Sequence, residues 1–210
     1  MSSSESVVVT TTTQDSLQRR ALRLLLTTQT FFFVALAWCV LLVHDHAAQN
    51  AGISYYGTHH NTVPYAIIGY VAAAIGVWRA SALFRAGGAD VTIWFGLRFV
   101  AVMLVVLLVT PYNEGTFLNW THMTIGGTGA LVQLWISATF IRRLGTLSSV
   151  LGFTVQLLGG VLGALSLPDW RFQYLLNAEI VLELGFCWCL LEGTRLLTRR
   201  DATRRCFKDC

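Results

Sequence analysis

Long apolar runs alternate with short polar stretches along most of the chain. The runs cover residues 21–43, 63–84, 91–110, 119–141, 147–166 and 173–197. A bilayer core of about 30 Å is crossed by about 20 apolar residues in an α-helix, so each run is long enough to span it. The gaps hold turn formers: "RAGGAD", "PYNEGTFLN", "RRLGT" and "SLPDW". This pattern predicts an all-α, polytopic membrane bundle of six transmembrane helices at residues 19–198. Residues 1–18, rich in serine and threonine, read as a disordered cytoplasmic tail, without the basic start and cleavage site of a signal peptide. Residues 199–210 read as a basic cytoplasmic tail.

Composition agrees with that reading. The 210 residues are 54% hydrophobic and only 12% charged, against about 25% charged in soluble domains. The net charge of +4 does not point to nucleic acid, because the basic residues sit beside the apolar runs, where they anchor membrane helices. Arg19, Arg20, Arg23, Arg79, Arg85, Arg142, Arg143, Arg195, Arg199, Arg200, Arg204, Arg205 and Lys208 all fall on one side of a six-span layout, thirteen of the fifteen basic residues. The exceptions are Arg98, inside the third run, and Arg171, in the last outer loop. The positive-inside rule then places both termini in the cytoplasm, in a multi-pass protein of the cytoplasmic (plasma) membrane. All five histidines fall on the outer side.

Hydrophobicity does not hold helices together in lipid; close approach at small residues does. Gly159 and Gly163 in the fifth run, "TIGGTGAL" in the fourth, and Ala72 and Gly76 in the second predict contacts among those three spans.

The costly charges, those deepest within the runs, are Arg98, Glu179 and Glu183. Each costs about 2.5–3.5 kcal/mol at a helix centre, so such groups face the interior and find partners. Glu179 and Glu183 are four apart and share one helix face. Arg98 lies about 10 Å from the cytoplasmic end of its span, within reach of Glu183. An Arg98–Glu183 bridge is therefore expected, either fixing helix register or serving a proton or headgroup site. Glu179 lies near the depth of His122, and Gln133, Gln156 and Asn177 could extend a polar lining.

The segment "LLVHDHAAQNAGISYYGTHHNTVPY" gathers His44, His46, His59 and His60 with Asp45. Histidines with a carboxylate can bind zinc or copper. His44, His46, His59 and His60 are thus candidate metal ligands, although neither pair has the helical i, i+4 spacing. Alternatively, Tyr55, Tyr56 and Tyr65 anchor an interfacial loop, or the histidines sense pH. Gly57 and Pro64 suit a structured cap. With "TPYNEGTFLNWTH" it could form an outer pocket from Tyr55, Tyr56, His59, His60 and His122.

Cys39, Cys187 and Cys189 lie within spans, and Cys206 and Cys210 in the basic tail; no outer loop holds a cysteine, so no structural disulfide is implied. There is no Gly-rich phosphate loop, nucleophile elbow or HExxH. The one lysine, Lys208, lies outside the spans, which excludes a retinal Schiff base.

With six spans, inside termini and "ISYYG" in the first outer loop, residues 21–197 resemble small bacterial six-helix membrane proteins of unknown function. More distantly they resemble the DRAM/Sfk group, whose "ISD" type of outer-loop sequence this chain lacks. That resemblance implies a role in membrane-lipid organisation. The expectation is a non-enzymatic protein without cofactor that binds lipid headgroups, or an accessory subunit of a membrane assembly. Its partners would be membrane lipids or another subunit. The alternatives are a proton- or cation-coupled transporter or channel using Glu179 and Glu183, and a metal-dependent enzyme using the outer histidines.

Overall fold

The absence of glycine and proline before Gly52 leaves nothing to break the first helix, and in the computed structural model it runs unbroken from Ser3. Residues 3–166 and 172–198 are described, with side chains from residue 14 onward. The helices are α1 (Ser3–Leu42), α2 (His46–Ala51), α3 (Val63–Ala86), α4 (Val91–Val109), α5 (Thr116–Leu144), α6 (Leu147–Leu165) and α7 (Leu175–Gly193), with a 3-10 turn at Ile53–Gly57. No strand occurs among the described residues. The segment expected to be a disordered tail is thus helical from Ser3; propagation from an existing helix needs one hydrogen bond per residue and no new nucleus. Arg171 and the loop around it, the basic tail from Arg199, and Cys206 and Cys210 lie outside the described residues.

Local chemistry sets the helix ends. Asp45, Asp90 and Thr146 cap α2, α4 and α6, each accepting a backbone N–H from within the first turn. Pro64 stands in the first turn of α3, where a missing N–H is harmless.

Five helices are long and apolar enough to cross a membrane: α3, α4, α5, α6 and the Gln14–Leu42 part of α1. This makes the chain a multi-pass membrane bundle. α7 has a comparable length of 19 residues but carries Glu179, Glu183 and Glu192. Its surroundings explain the difference. α1 packs on α3, α3 on α4, α4 on α5, and α5 on α6 and α7, while α7 also meets α6, α2 and α1. The helix with the most acids is the one with the most helical neighbours.

The side chains are arranged inside out relative to a soluble protein. Phe31, Leu41, Ile68, Phe95, Leu131, Trp135 and Leu158 are exposed, whereas Gln29, Ser81, Gln133, Ser137, Ser149 and Gln156 are buried. An apolar surface on this scale is tolerable against lipid, not water. The apolar core divides in two. One cluster holds Leu25, Phe84, Leu97, Phe140, Phe186 and Leu197; the other holds Phe32, Leu36, Tyr56, Ala66 and Leu176. Between them lies a layer with Gln29 of α1, Gln133 of α5 and Glu183 of α7, around a cavity of about 10 Å³. That is room for about one water.

The expected contact between the fourth and fifth spans is present as α5 on α6, but the tightest approaches at small residues lie elsewhere. Gly159 of α6 rests on the backbone of Leu182 and Ala178 in α7, and Gly185 of α7 rests on the backbone of Gln156. Gly152 faces Trp188 and Cys189, and Gly76 faces Thr28 of α1. Gly127 meets nothing, and Gly126 has only Leu107 nearby, at 3.9 Å. The close partner of α6 is therefore α7, and that of α3 at Gly76 is α1.

Candidate functional site: a polar column beneath an outer cap

Spacing by four puts Glu179 and Glu183 on one face of α7, and both point into the bundle. Glu179 Oε2 accepts the backbone N–H of Ile53 at 2.6 Å. Ile53 opens the 3-10 turn, so a carboxylate from the far end of the sequence caps it. Gly52 makes this approach possible: its φ of 73° and ψ of −162° suit glycine alone, and a Cβ there would collide with the Glu179 carboxylate. One turn further along α7, Glu183 Oε1 accepts Gln133 Nε2–H at 2.9 Å. Gln133 Oε1 is buried without a protein partner, beside the cavity that Glu183 and Gln29 also line.

The column continues toward the outer cap. Tyr70 of α3 neighbours both carboxylates and Ser54. Ser54 Oγ lies 2.6 Å from His122 Nε2, and His122 Nδ1 lies 2.5 Å from the Thr110 carbonyl. A carbonyl only accepts, so Nδ1 carries the hydrogen. In the neutral ring, Nε2 then accepts from the Ser54 hydroxyl. One histidine thereby ties α5, the end of α4 and the cap together.

The expected bridge between Arg98 and Glu183 does not form. Arg98 turns instead to Trp78 and Ser81 of α3 and to Trp94 of its own helix. Its guanidinium lies 5.2 Å from the Trp78 ring centre and 5.4 Å from that of Trp94, with Nε donating to Ser81 Oγ at 3.4 Å. The polar centre is thus Glu179 and Glu183 with neutral donors, and Arg98 is separate. Of the other candidates, Gln133 joins the lining. Asn177 is exposed, and Gln156 is buried at the α6–α7 contact with neither amide atom partnered.

The residues expected to line an outer pocket form a filled cap instead. Tyr56 is fully buried, and burial pushes its hydroxyl up to about 12. Tyr55 stacks edge-on against Tyr56 at 5.8 Å and lies 5.5 Å from His59, which stacks on His60 at 5.3 Å. His122 stands apart from this row and reaches the cap through Ser54. The cavity beside Tyr56 and Tyr70 holds about 10 Å³, again about one water.

The candidate metal ligands are dispersed. His44 Nε2 is 3.3 Å from the Gln49 amide nitrogen, and His46 Nδ1 is 2.8 Å from that of Asn50. Asp45 is occupied as the α2 cap and accepts the Tyr55 hydroxyl at 3.0 Å. The Ala48 amide, followed by that hydroxyl, holds the Asp45 carboxyl below its ordinary range. Among the described residues, no group of three metal-ligating side chains comes together.

Sequence reasoning did not single out Gln29, Ser54 or Tyr70. Gln29 had a signal: it is a polar residue inside an apolar run, as Gln133 is. Ser54 and Tyr70 had none, because their roles depend on where the cap settles. Comparison with protein-family models, curated proteins and solved structures returns no match.

Proposed function

We propose that this is a six-span integral membrane protein with both termini in the cytoplasm. In this reading it is non-enzymatic and moves protons or small cations by way of Glu183 and Glu179. α7 serves as the sixth span, its acids turned toward its neighbours. The basic residues flanking the apolar part of α1 (Arg19, Arg20, Arg23) and near the C-terminal ends of α3 (Arg79, Arg85) and α5 (Arg142, Arg143) support the orientation.

One observation carries the functional reading. Two carboxylates stand on one face of a helix inside the bundle, and each is met by a neutral donor, with no ion-pair partner among the described residues. The two ion pairs among the described residues, Arg143–Asp90 and Arg195–Glu192, involve neither. The register-fixing bridge expected between Arg98 and Glu183 is not among them. An acid inside a membrane protein without a protein cation is tolerated when a proton or transported cation neutralises it, and such groups mark ion and proton routes. The hydroxyls of Tyr70 and Ser54 and the ring of His122 extend the route outward. The filled cap gives less support to a headgroup pocket on that face.

A carbodiimide tests the proton-bearing role, since it attacks a carboxyl in its protonated form and apolar reagents reach intramembrane acids. Labelling should map to Glu183 and leave Asp45 unlabelled. Label confined to the loop acids, with Glu183 unmodified in folded protein, would contradict the reading.

A further inference from the structure

The carboxylate route makes no use of Arg98, yet Arg98 is the costliest cation in the chain. It sits two turns into α4, on a helix whose other residues are uncharged. Its one hydrogen bond is the long contact from Nε to Ser81 Oγ, 3.4 Å, and Ser81 Oγ itself donates to the Trp78 carbonyl. The remaining N–H groups, on Nη1 and Nη2, have no acceptor among the described residues. Two indoles flank the guanidinium, and Arg85 also lies over one of them, with its Cζ 5.2 Å from the Trp94 ring centre. Two guanidinium groups thus share one tryptophan. No carboxylate among the described residues joins them: the nearest acid in sequence, Asp90, caps α4 and pairs with Arg143 at 2.7 Å.

Indole faces attract cations, but they do not accept the in-plane N–H groups of a guanidinium. Those groups form a fork that matches two oxygens of a phosphate. Trp78 is 47% exposed on the outside of the bundle, so the cradle opens sideways to lipid. Arg85, in the last turn of α3, stands at headgroup level, and Arg98 lies about 10 Å below the start of its helix, within the reach of a snorkelling side chain.

We infer that Arg98, Arg85, Trp78 and Trp94 form a binding site for the phosphate of an anionic glycerophospholipid, in the leaflet at the basic end of the bundle. Arg98 holds the phosphate by its fork, Trp78 borders the glycerol and upper acyl region, and Arg85 adds a second positive charge. That second charge selects an anionic headgroup over a choline headgroup, whose ammonium would be a third cation at the same place. The site is independent of the carboxylate route.

Native mass spectrometry of the full chain, released from detergent with added phosphatidylglycerol or phosphatidylcholine, reads the site directly. Wild type should retain phosphatidylglycerol in preference. Arg98→Met should weaken that retention about tenfold or more, the scale of a lost charge-assisted, bidentate contact. Arg98→Lys, which keeps the charge but loses the fork, should fall between the two, and it preserves the comparison should the Met variant not fold. Arg142→Gln, an exposed cation at the same end, should change nothing. Equal retention by wild type and Arg98→Lys, equal losses in Arg98→Met and Arg142→Gln, or no preference between the two lipids would each overturn the proposal. Displacement of the lipid by glycerol 3-phosphate would reassign the site to a soluble phosphate.

Discussion

Gly159→Leu is expected to prevent the bundle from closing, and Gly159→Ala to destabilise it by about 1–3 kcal/mol, the usual scale of overpacking. The reason is what the new atoms would meet. A Cβ at residue 159 lands on the backbone nitrogen and Cα of Leu182 and on the Ala178 carbonyl. A side chain in that position could rotate away, but helix backbone cannot, so α6 and α7 must separate. Gly185 repeats the constraint from the other side against the backbone of Gln156. In lipid this close fit is a principal source of helix association, and separation would also loosen the helix that carries Glu179 and Glu183. Gly163→Ala is the control. Its Cβ would meet the Ala178 Cβ at 3.7 Å, an ordinary contact, and its stability should stay within about 0.5 kcal/mol of wild type. Thermal unfolding in detergent, with alkylation of buried Cys189 as a second readout, separates the two. Equal behaviour of Gly159→Ala and Gly163→Ala would refute the assigned contact.

The second large effect is expected at the outer cap. Gly52→Ala places a Cβ where the backbone is strained for any other residue, at about 1–3 kcal/mol. The same atom collides with the Glu179 carboxylate. The substitution therefore also displaces the acceptor of the Ile53 N–H, a hydrogen bond worth about 0.5–1.5 kcal/mol. The cap should lift from α7 while the helices remain. Hydrogen exchange should accelerate at Ile53 and its neighbours, with the α6–α7 amides unchanged. Gly57→Ala, in the same turn, has nothing within 4 Å of its Cβ and should exchange as wild type. Matching protection in both variants would show that Glu179 does not hold the cap.

The two glycine pairs show how far the sequence could be read. That glycines would mark close helix contacts followed from general packing physics. Which helix each would touch did not, because the Gly159 and Gly163 spacing is the same whatever faces it. The helical class was legible because uninterrupted apolar runs leave the backbone no alternative in lipid. The carboxylates were legible as interior groups from their cost alone. Their partners were not: Arg98 had the depth to reach Glu183, but reach ignores direction, and its side chain went to Trp78, Trp94 and Ser81. The outer histidines gave the strongest local signal and the least structural return. His44 and His46 went to Gln49 and Asn50, and His59 and His60 stacked beside Tyr55, while His122, distant in sequence, took the position that joins the cap to the bundle.

Proton entry into vesicles after an external acid step, followed by an internal pH dye with equal sodium and potassium on both sides, tests the role of Glu183 most directly. Wild-type protein should acidify the lumen faster than empty vesicles do. Glu183→Gln, which keeps the side chain's size and its capacity to bond Gln133, should return the rate to that of empty vesicles while melting as wild type does. Wild-type flux no greater than that of empty vesicles, or undiminished flux in Glu183→Gln, would contradict the proposed route.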